Sequence, residues 1–132
     1  MSIEYHEFVP AETLHRLDDD LEFLQEMVAM LPEQTADGLN RLEEALQRKN
    51  VGELQESAHR FKGSVAILST GRLYHLLRRI ETANDAESLH TGAALLPEVV
   101  DAVEALSREL DHFLRSQCSP AGDPGSEAQV SA

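Results

Sequence analysis

Residues 51–68 read VGELQESAHRFKGSVAIL, and their apolar side chains recur at steps of three and four residues. This spacing places them on one face of an α-helix and predicts that the face packs against a core. The apolar positions are Val51, Leu54, Ala58, Phe61, Val65 and Leu68. Asn50 precedes the stretch and Glu53 follows it three residues later, a pair that predicts a capping box at the helix start.

The same spacing recurs in three other parts of the chain. One stripe comprises Leu14, Leu17, Leu21, Leu24, Val28, Leu31, Leu39, Leu42 and Leu46; another comprises Leu73, Leu76, Leu77, Ile80 and Ala83; the last comprises Leu96, Val99, Val103, Leu106, Leu110 and Phe113. Four stripes of this kind are typical of helices that pack at shallow angles. The sequence therefore predicts an all-α fold, an antiparallel four-helix bundle.

Helix breakers and caps predict where the helices begin and end. Pro10 suits a first helical position and predicts a short extra N-terminal helix that ends near Arg16. The acidic run at 18–20 predicts the cap of the next helix, which should reach Lys49. Pro32 removes one backbone donor, so we expect it to bend or split this helix near Val28.

Towards the C-terminus, polar residues 84–91 predict a connection, and Pro97 is expected to mark or kink the start of the last helix. The residues after 115 are small and polar and contain no core-forming side chains. Such a composition is typical of a disordered tail. We therefore predict one bundle domain over residues 1–115 and a disordered tail over 116–132.

Composition excludes several classes of function. The chain has 132 residues and a formal net charge of −13 at pH 7, which argues against nucleic acid or an anionic membrane as partner. A single cysteine excludes an internal disulfide and a cysteine-rich zinc site. No apolar run is long enough to span a membrane, and no signal-peptide pattern is present. These features predict a cytoplasmic protein.

The charge is unevenly distributed along the chain. Residues Ser57–Ile80 contain five of the 11 lysines and arginines and no aspartate or glutamate. They are Arg60, Lys62, Arg72, Arg78 and Arg79. Such a basic segment on an acidic protein is a candidate landing site for an acidic partner or a phosphate. A solvated helix face is the alternative that composition leaves open.

The richest group of chemically capable residues lies within this segment. His59 is one residue beyond the core position Ala58, about 100° around the helix, and should be exposed. Lys62 and Gly63 follow at three and four residues, so both adjoin His59 on the same surface. A glycine inside a helix costs about 0.5–1 kcal/mol relative to alanine, and here it leaves space for another molecule to reach the imidazole. Spacing alone leaves open a surface histidine beside a tolerated glycine.

The sequence HRFKGS at 59–64 resembles the signature of histidine-containing phosphotransfer domains, and the helical layout from Leu14 to Phe113 resembles that family as well. The resemblance implies that His59 is the phosphorylated nucleophile and that Lys62 stabilises the phosphoryl group. Gly63 corresponds to the small residue that opens the docking surface, and Ser64 to the small residue after it. Ser69 stands where the family usually has glycine.

The resemblance implies a phosphoryl carrier that passes the group between aspartates of response-regulator receiver domains, in a relay with a hybrid sensor histidine kinase. No glycine-rich phosphate loop is present, so we predict no kinase activity of its own. Mg²⁺ is expected on the receiver, with no cofactor or metal in this chain, which we expect to be a monomer. Family resemblance suggests Nε2 as the phosphorylated nitrogen. We expect the partner to contact Gln55, Arg60, Ala66, Phe8 and Phe23.

The sequence also offers two alternatives to a phosphoryl carrier. Four Glu-x-x-His pairs match the pattern that di-iron bundles place in their core, namely Glu12–His15, Glu56–His59, Glu87–His90 and Glu109–His112. Because these residues fall beside the core stripes, we expect the pairs to face outward and to bind no metal. The other alternative is a helical adaptor that binds receiver or kinase domains without phosphorylation. It does not require His59, Lys62 and Gly63 together, yet all three are present.

Overall fold

The computed structural model describes residues 5–69 and 71–118, and these form five α-helices. The helices are α1 (Pro10–Arg16), α2 (Leu21–Arg48), α3 (Val51–Val65), α4 (Arg72–Thr82) and α5 (Ser88–Cys118). Helix α3 packs against α2 and α4, and α5 packs against the same two helices. Short connections make successive helices antiparallel. The prediction of a four-helix bundle with a short extra N-terminal helix is confirmed.

The core is built from the apolar stripes that the spacing predicts. In α3, four of the predicted core residues are at most 2% exposed: Leu54, Ala58, Phe61 and Val65. In α4 the buried residues of the predicted stripe are at most 4% exposed: Leu73, Leu76, Leu77 and Ile80. In α5 the stripe begins at Leu95, which is buried, while Leu96 is only partly buried. No helix in the described ranges has a stretch long and apolar enough to cross a membrane.

The start of α3 carries half of the predicted capping box. The Asn50 side chain accepts a hydrogen bond from the Glu53 backbone N–H at 2.9 Å, as the sequence predicts. The Glu53 carboxylate, however, pairs with Arg48 at 2.9 Å instead of returning to Asn50. The backbone N–H of Asn50 donates to the Ala45 carbonyl at the end of α2. Because that donor is satisfied by α2, the second half of the box is not needed.

Helix α2 is continuous through Pro32, so the expected alternative of a split near Val28 is wrong. It begins at the predicted acidic cap, where the Asp20 carboxylate accepts a hydrogen bond from the backbone N–H of Phe23 at 2.9 Å. Proline removes one intrahelical hydrogen bond. Leu31 and Thr35, on either side of it, are buried, and this packing holds the helix across the missing bond.

Helix α5 is longer than predicted at both ends. It begins at Ser88, so residues 88–91 belong to the helix and Pro97 lies in its interior. This first part of α5 is packed closely against α3, since a Cβ at Gly92 would lie 2.8 Å from Leu54 Cδ2. The helix continues to Cys118, beyond the expected end of the domain at 115. The rest of the predicted tail, residues 119–132, lies outside the described residues.

The segment before α1 packs against the end of the bundle. Phe8 is only 2% exposed. The centre of its ring lies 5.2 Å from the ring centre of Tyr5 and 5.8 Å from that of Phe113. The prediction that Phe8 contacts a partner is therefore wrong, because its side chain belongs to the core. Its sequence position outside any apolar stripe concealed this role.

A buried carboxylate holds this segment in place. Glu109 is 5% exposed, and its Oε1 accepts hydrogen bonds from the backbone N–H groups of His6 and Glu7, each at 2.8 Å. The expectation that Glu109 faces outward with His112 is therefore wrong. Buried backbone donors require an acceptor, and an extended segment without a neighbouring strand must find it in a side chain.

The turn between α3 and α4 is closed by the same segment. Ser69 is buried, and its hydroxyl donates to the Glu7 carbonyl. A Cβ at Gly71 would lie 2.8 Å from the carbonyl oxygens of His6 and Glu7, so the close approach requires glycine. The Glu7 carboxylate accepts a hydrogen bond from the Leu73 backbone N–H at 3.2 Å and thereby caps α4.

Candidate functional site

His59 lies on the solvent-facing side of α3, as its place beside the core stripe predicts. Its side chain is 65% exposed, whereas the preceding Ala58 is completely buried. One residue corresponds to about 100° of rotation on an α-helix, which accounts for the change from buried to exposed. The imidazole is therefore accessible to another protein.

The carboxylate of Glu81 holds one nitrogen of this imidazole. Glu81 is near the end of α4, and its Oε2 lies 2.5 Å from His59 Nδ1. An ionised carboxylate only accepts hydrogen bonds, so Nδ1 must carry the proton in this contact. The lone pair of the neutral ring is then on Nε2. In this tautomer Nε2 is the ring nitrogen that is free to bind another group.

Lys62 reaches the other oxygen of the same carboxylate. Its Nζ lies 2.6 Å from Glu81 Oε1 and 5.6 Å from the centre of the Tyr74 ring. The contact with Lys62 lowers the pKa of Glu81 below its ordinary value, and the hydrogen bond from His59 lowers it further, against an opposing effect of burial. Glu81 is therefore ionised at neutral pH. One carboxylate joins the imidazole and the ammonium group.

The surface beside His59 is open at Gly63, where the sequence predicts a gap. Gly63 is exposed, and a Cβ built on it would have no atom within 4 Å. Ser64 is also exposed, but its hydroxyl donates to the Phe61 carbonyl at 2.8 Å in the preceding turn. The hydroxyl of Ser64 is thus directed to its own helix, and the space next to His59 is at Gly63.

The same substitution at two helical glycines should have opposite effects on stability. Gly63→Ala should raise the free energy of unfolding by about 0.5–1 kcal/mol, because it improves helix propensity and meets no neighbour. Gly38→Ala should lower it by about 1–3 kcal/mol, because a Cβ on α2 would lie 2.6 Å from the Phe61 ring. Chemical denaturation of both variants measures the difference. A destabilised Gly63→Ala protein would contradict the open space described here.

The residues expected to contact a partner lie in different environments. Phe23 is 44% exposed on α2 and Ala66 is half-buried after α3. The exposed Arg60 pairs with Glu56 at 3.1 Å. Gln55 donates to the Ala83 carbonyl at 3.0 Å and thereby joins α3 to the end of α4. Their contacts with a partner remain predictions.

Folding neutralises much of the basic segment Ser57–Ile80. Arg72 pairs with the buried Glu7 and with Asp101, at 3.1 and 2.8 Å. Lys62 pairs with Glu81, which lies one residue beyond the segment. Within the described part of the chain, Arg78 and Arg79 make no ion pair. The surface around His59 is therefore less basic than the sequence implies, because acids from outside the segment fold against it.

Glu81 is the functional candidate that sequence reasoning missed. A signal for it was available: His59 and Glu81 are each 11 residues from position 70, and each follows a core residue, Ala58 or Ile80. In two antiparallel helices joined by a tight turn, residues at equal distances from the turn lie opposite one another. This symmetry brings His59 and Glu81 to the same level of the bundle.

Comparison with known proteins adds the family to this geometry. Among the described residues, no group of three or more His, Cys, Asp or Glu side chains is placed to hold a metal ion. Searches of curated proteins and of solved structures gave no significant match. The sequence model of the Hpt domain matches residues 22–115, which span the four bundle helices and include His59, Lys62 and Glu81. The chain therefore belongs to the Hpt domain family, whose members act as phosphoryl carriers in phosphorelays.

Proposed function

We propose that this protein carries a phosphoryl group on Nε2 of His59 between the aspartates of response-regulator receiver domains. The arrangement of His59 and Glu81 is the observation that supports this best. Glu81 Oε2 accepts a hydrogen bond from His59 Nδ1–H at 2.5 Å. The side chain of His59 is 65% exposed, so Nε2 can meet an incoming partner. A neutral imidazole with a free lone pair is a competent nucleophile at physiological pH.

The transfer step uses few groups of this chain. The Nε2 lone pair attacks the phosphorus of an aspartyl phosphate, and the N–P bond forms as the P–O bond to the aspartate breaks. The aspartate leaves as a carboxylate, and the ring, which still carries its proton on Nδ1, becomes a phosphorylated imidazolium. Glu81 stabilises that positive charge, because its negatively charged carboxylate already accepts the hydrogen bond from Nδ1–H. Transfer to the next aspartate reverses the same bond changes.

The remaining requirements of the reaction fall to the partner. The imidazole is exposed, so a receiver must enclose the reacting centre and exclude water from it. The space at Gly63 allows the receiver surface to approach, since a Cβ there would meet no atom within 4 Å. Mg²⁺ and the acidic pocket are expected on the receiver. We propose a hybrid sensor histidine kinase as the source of the phosphoryl group and a monomer as the active form.

Incubation with a panel of phosphorylated receivers and Mg²⁺ tests this function. We expect at least one receiver to lose its phosphoryl group to this protein, in a bond that is labile in acid and stable in base. NMR of the ¹⁵N-labelled product should place the phosphorus on Nε2 of His59. The exposed His15 and His75 serve as internal controls whose ring signals should not change. Receivers that bind but transfer nothing would favour the adaptor alternative.

A further inference from the structure

Lys62 is not free to meet a phosphoryl group in the structure. Its Nζ is held 2.6 Å from Glu81 Oε1, and its side chain is only 18% exposed. The bound partner is the same carboxylate that holds His59, through the other oxygen. A phosphoryl group on Nε2 would therefore compete with Glu81 for the ammonium group.

The ring of Tyr74 lies close to the ammonium group of Lys62. Nζ lies 5.6 Å from the centre of its ring, within the range at which an ammonium group is attracted to an aromatic face. Tyr74 is on α4, two helical turns before Glu81, and is half-buried. A partly buried ring on a helix is a fixed surface, whereas the lysine side chain has four rotatable bonds. The ring can retain the ammonium while its anionic partner changes.

We propose that Lys62 exchanges partners when His59 is phosphorylated, and that Tyr74 is the positioning residue for this exchange. The inference rests on the function proposed above. In the resting state Nζ pairs with Glu81; in the phosphorylated state it pairs with the phosphoryl oxygens, which carry more negative charge. Glu81 then keeps only its hydrogen bond with the Nδ1–H group of the imidazolium. Nζ stays at the ring of Tyr74 in both states.

The exchange assigns a different task to each anion. A phosphoryl group offers three strongly accepting oxygens, so it competes well with a single carboxylate for one ammonium group. When Lys62 leaves, the negative charge of Glu81 is no longer shared and acts entirely on the phosphorylated imidazolium. The resting ion pair thus keeps both groups in place until the phosphoryl group arrives.

The first test is the lifetime of the purified phosphoprotein in the full-length chain. Tyr74→Leu removes the aromatic face and should shorten the lifetime about two- to fivefold. Tyr74→Phe keeps the face and should restore the wild-type value. In a Lys62→Ala background, Tyr74→Leu should have no further effect, because the ring acts through the ammonium group. An equal effect in both backgrounds, or none in either, would overturn the role of Tyr74.

The second test observes the ammonium group directly. The chain has only two lysines, Lys49 and Lys62, so ¹⁵N-lysine labelling yields two side-chain signals with Lys49 as the internal control. Phosphorylation should shift the Nζ signal of Lys62 and leave that of Lys49 unchanged. Intact-mass measurement shows whether the phosphoryl group is bound. A phosphorylated protein whose Lys62 signal does not move would overturn the exchange alone; a protein that takes up no phosphoryl group would overturn the proposed function as well.

Discussion

His59→Gln should abolish phosphoryl uptake and leave the helical fold unchanged. Glutamine has no nucleophilic nitrogen, so no N–P bond can form. The His59 side chain is 65% exposed and its one hydrogen bond in the described structure is with Glu81. Substitutions at such surface positions usually change the free energy of unfolding by no more than about 0.5 kcal/mol. Radiolabelled transfer and a thermal melt monitored by circular dichroism give the two readouts.

His75→Gln is the matched control for this prediction. His75 is also exposed and lies on α4, but among the described residues it forms no hydrogen bond or ion pair with Glu81. Its substitution should leave both uptake and melting temperature at the wild-type value. Uptake that survives in His59→Gln and disappears in His75→Gln would move the phosphorylated residue from α3 to α4.

Glu81→Ala should slow phosphoryl uptake at least tenfold. The substitution removes the acceptor of the Nδ1–H hydrogen bond. Part of the population then adopts the tautomer with the proton on Nε2, which has no lone pair on that nitrogen. It also removes the negative charge that stabilises the imidazolium formed in the transfer. Hydrogen bonds to charged groups are worth about 1.5–3 kcal/mol, which corresponds to about 10- to 150-fold in rate. Single-turnover transfer from a cognate phosphorylated receiver measures the effect.

Glu81→Gln separates the two contributions. The glutamine amide oxygen still accepts a hydrogen bond from Nδ1–H but carries no net charge. The uptake rate of Glu81→Gln should therefore lie between those of wild type and Glu81→Ala. Glu56→Ala is the control for a general loss of surface charge, because in the described structure Glu56 pairs with the exposed Arg60 and forms no hydrogen bond with His59. Its rate should stay within about twofold of wild type, as expected for an exposed ion pair. Equal rates in wild type and Glu81→Ala would exclude a role for Glu81 in transfer.

The exposure of His59, the adjoining Lys62 and the open space at Gly63 could all be predicted from the sequence. These are relations within a single helix, and the regular rotation of 100° per residue determines them once the core stripe is known. The same argument predicted the helix starts at Asp20 and Asn50, because a capping side chain binds a backbone donor only three residues away.

The errors of prediction concern residues whose environment comes from distant parts of the chain. Phe8 and Glu109 are buried because the N-terminal segment packs against the end of α5, about a hundred residues away in sequence. Residues 88–91 were expected in a polar connection but are helical, and the beginning of α5 packs on α3 around Gly92. Local composition cannot encode a contact whose two sides are so far apart.

The sequence by itself determined a helical bundle and the face of α3 that presents His59, since both follow from local periodicity. Only the tertiary structure decided which group holds the imidazole. Glu81 is 22 residues from His59 and reaches it because α3 and α4 are antiparallel and in register. The turn that closes this register is held by the N-terminal segment through Ser69 and Gly71. The ring nitrogen that Glu81 holds is therefore determined by packing between helices, which no pattern within one helix describes.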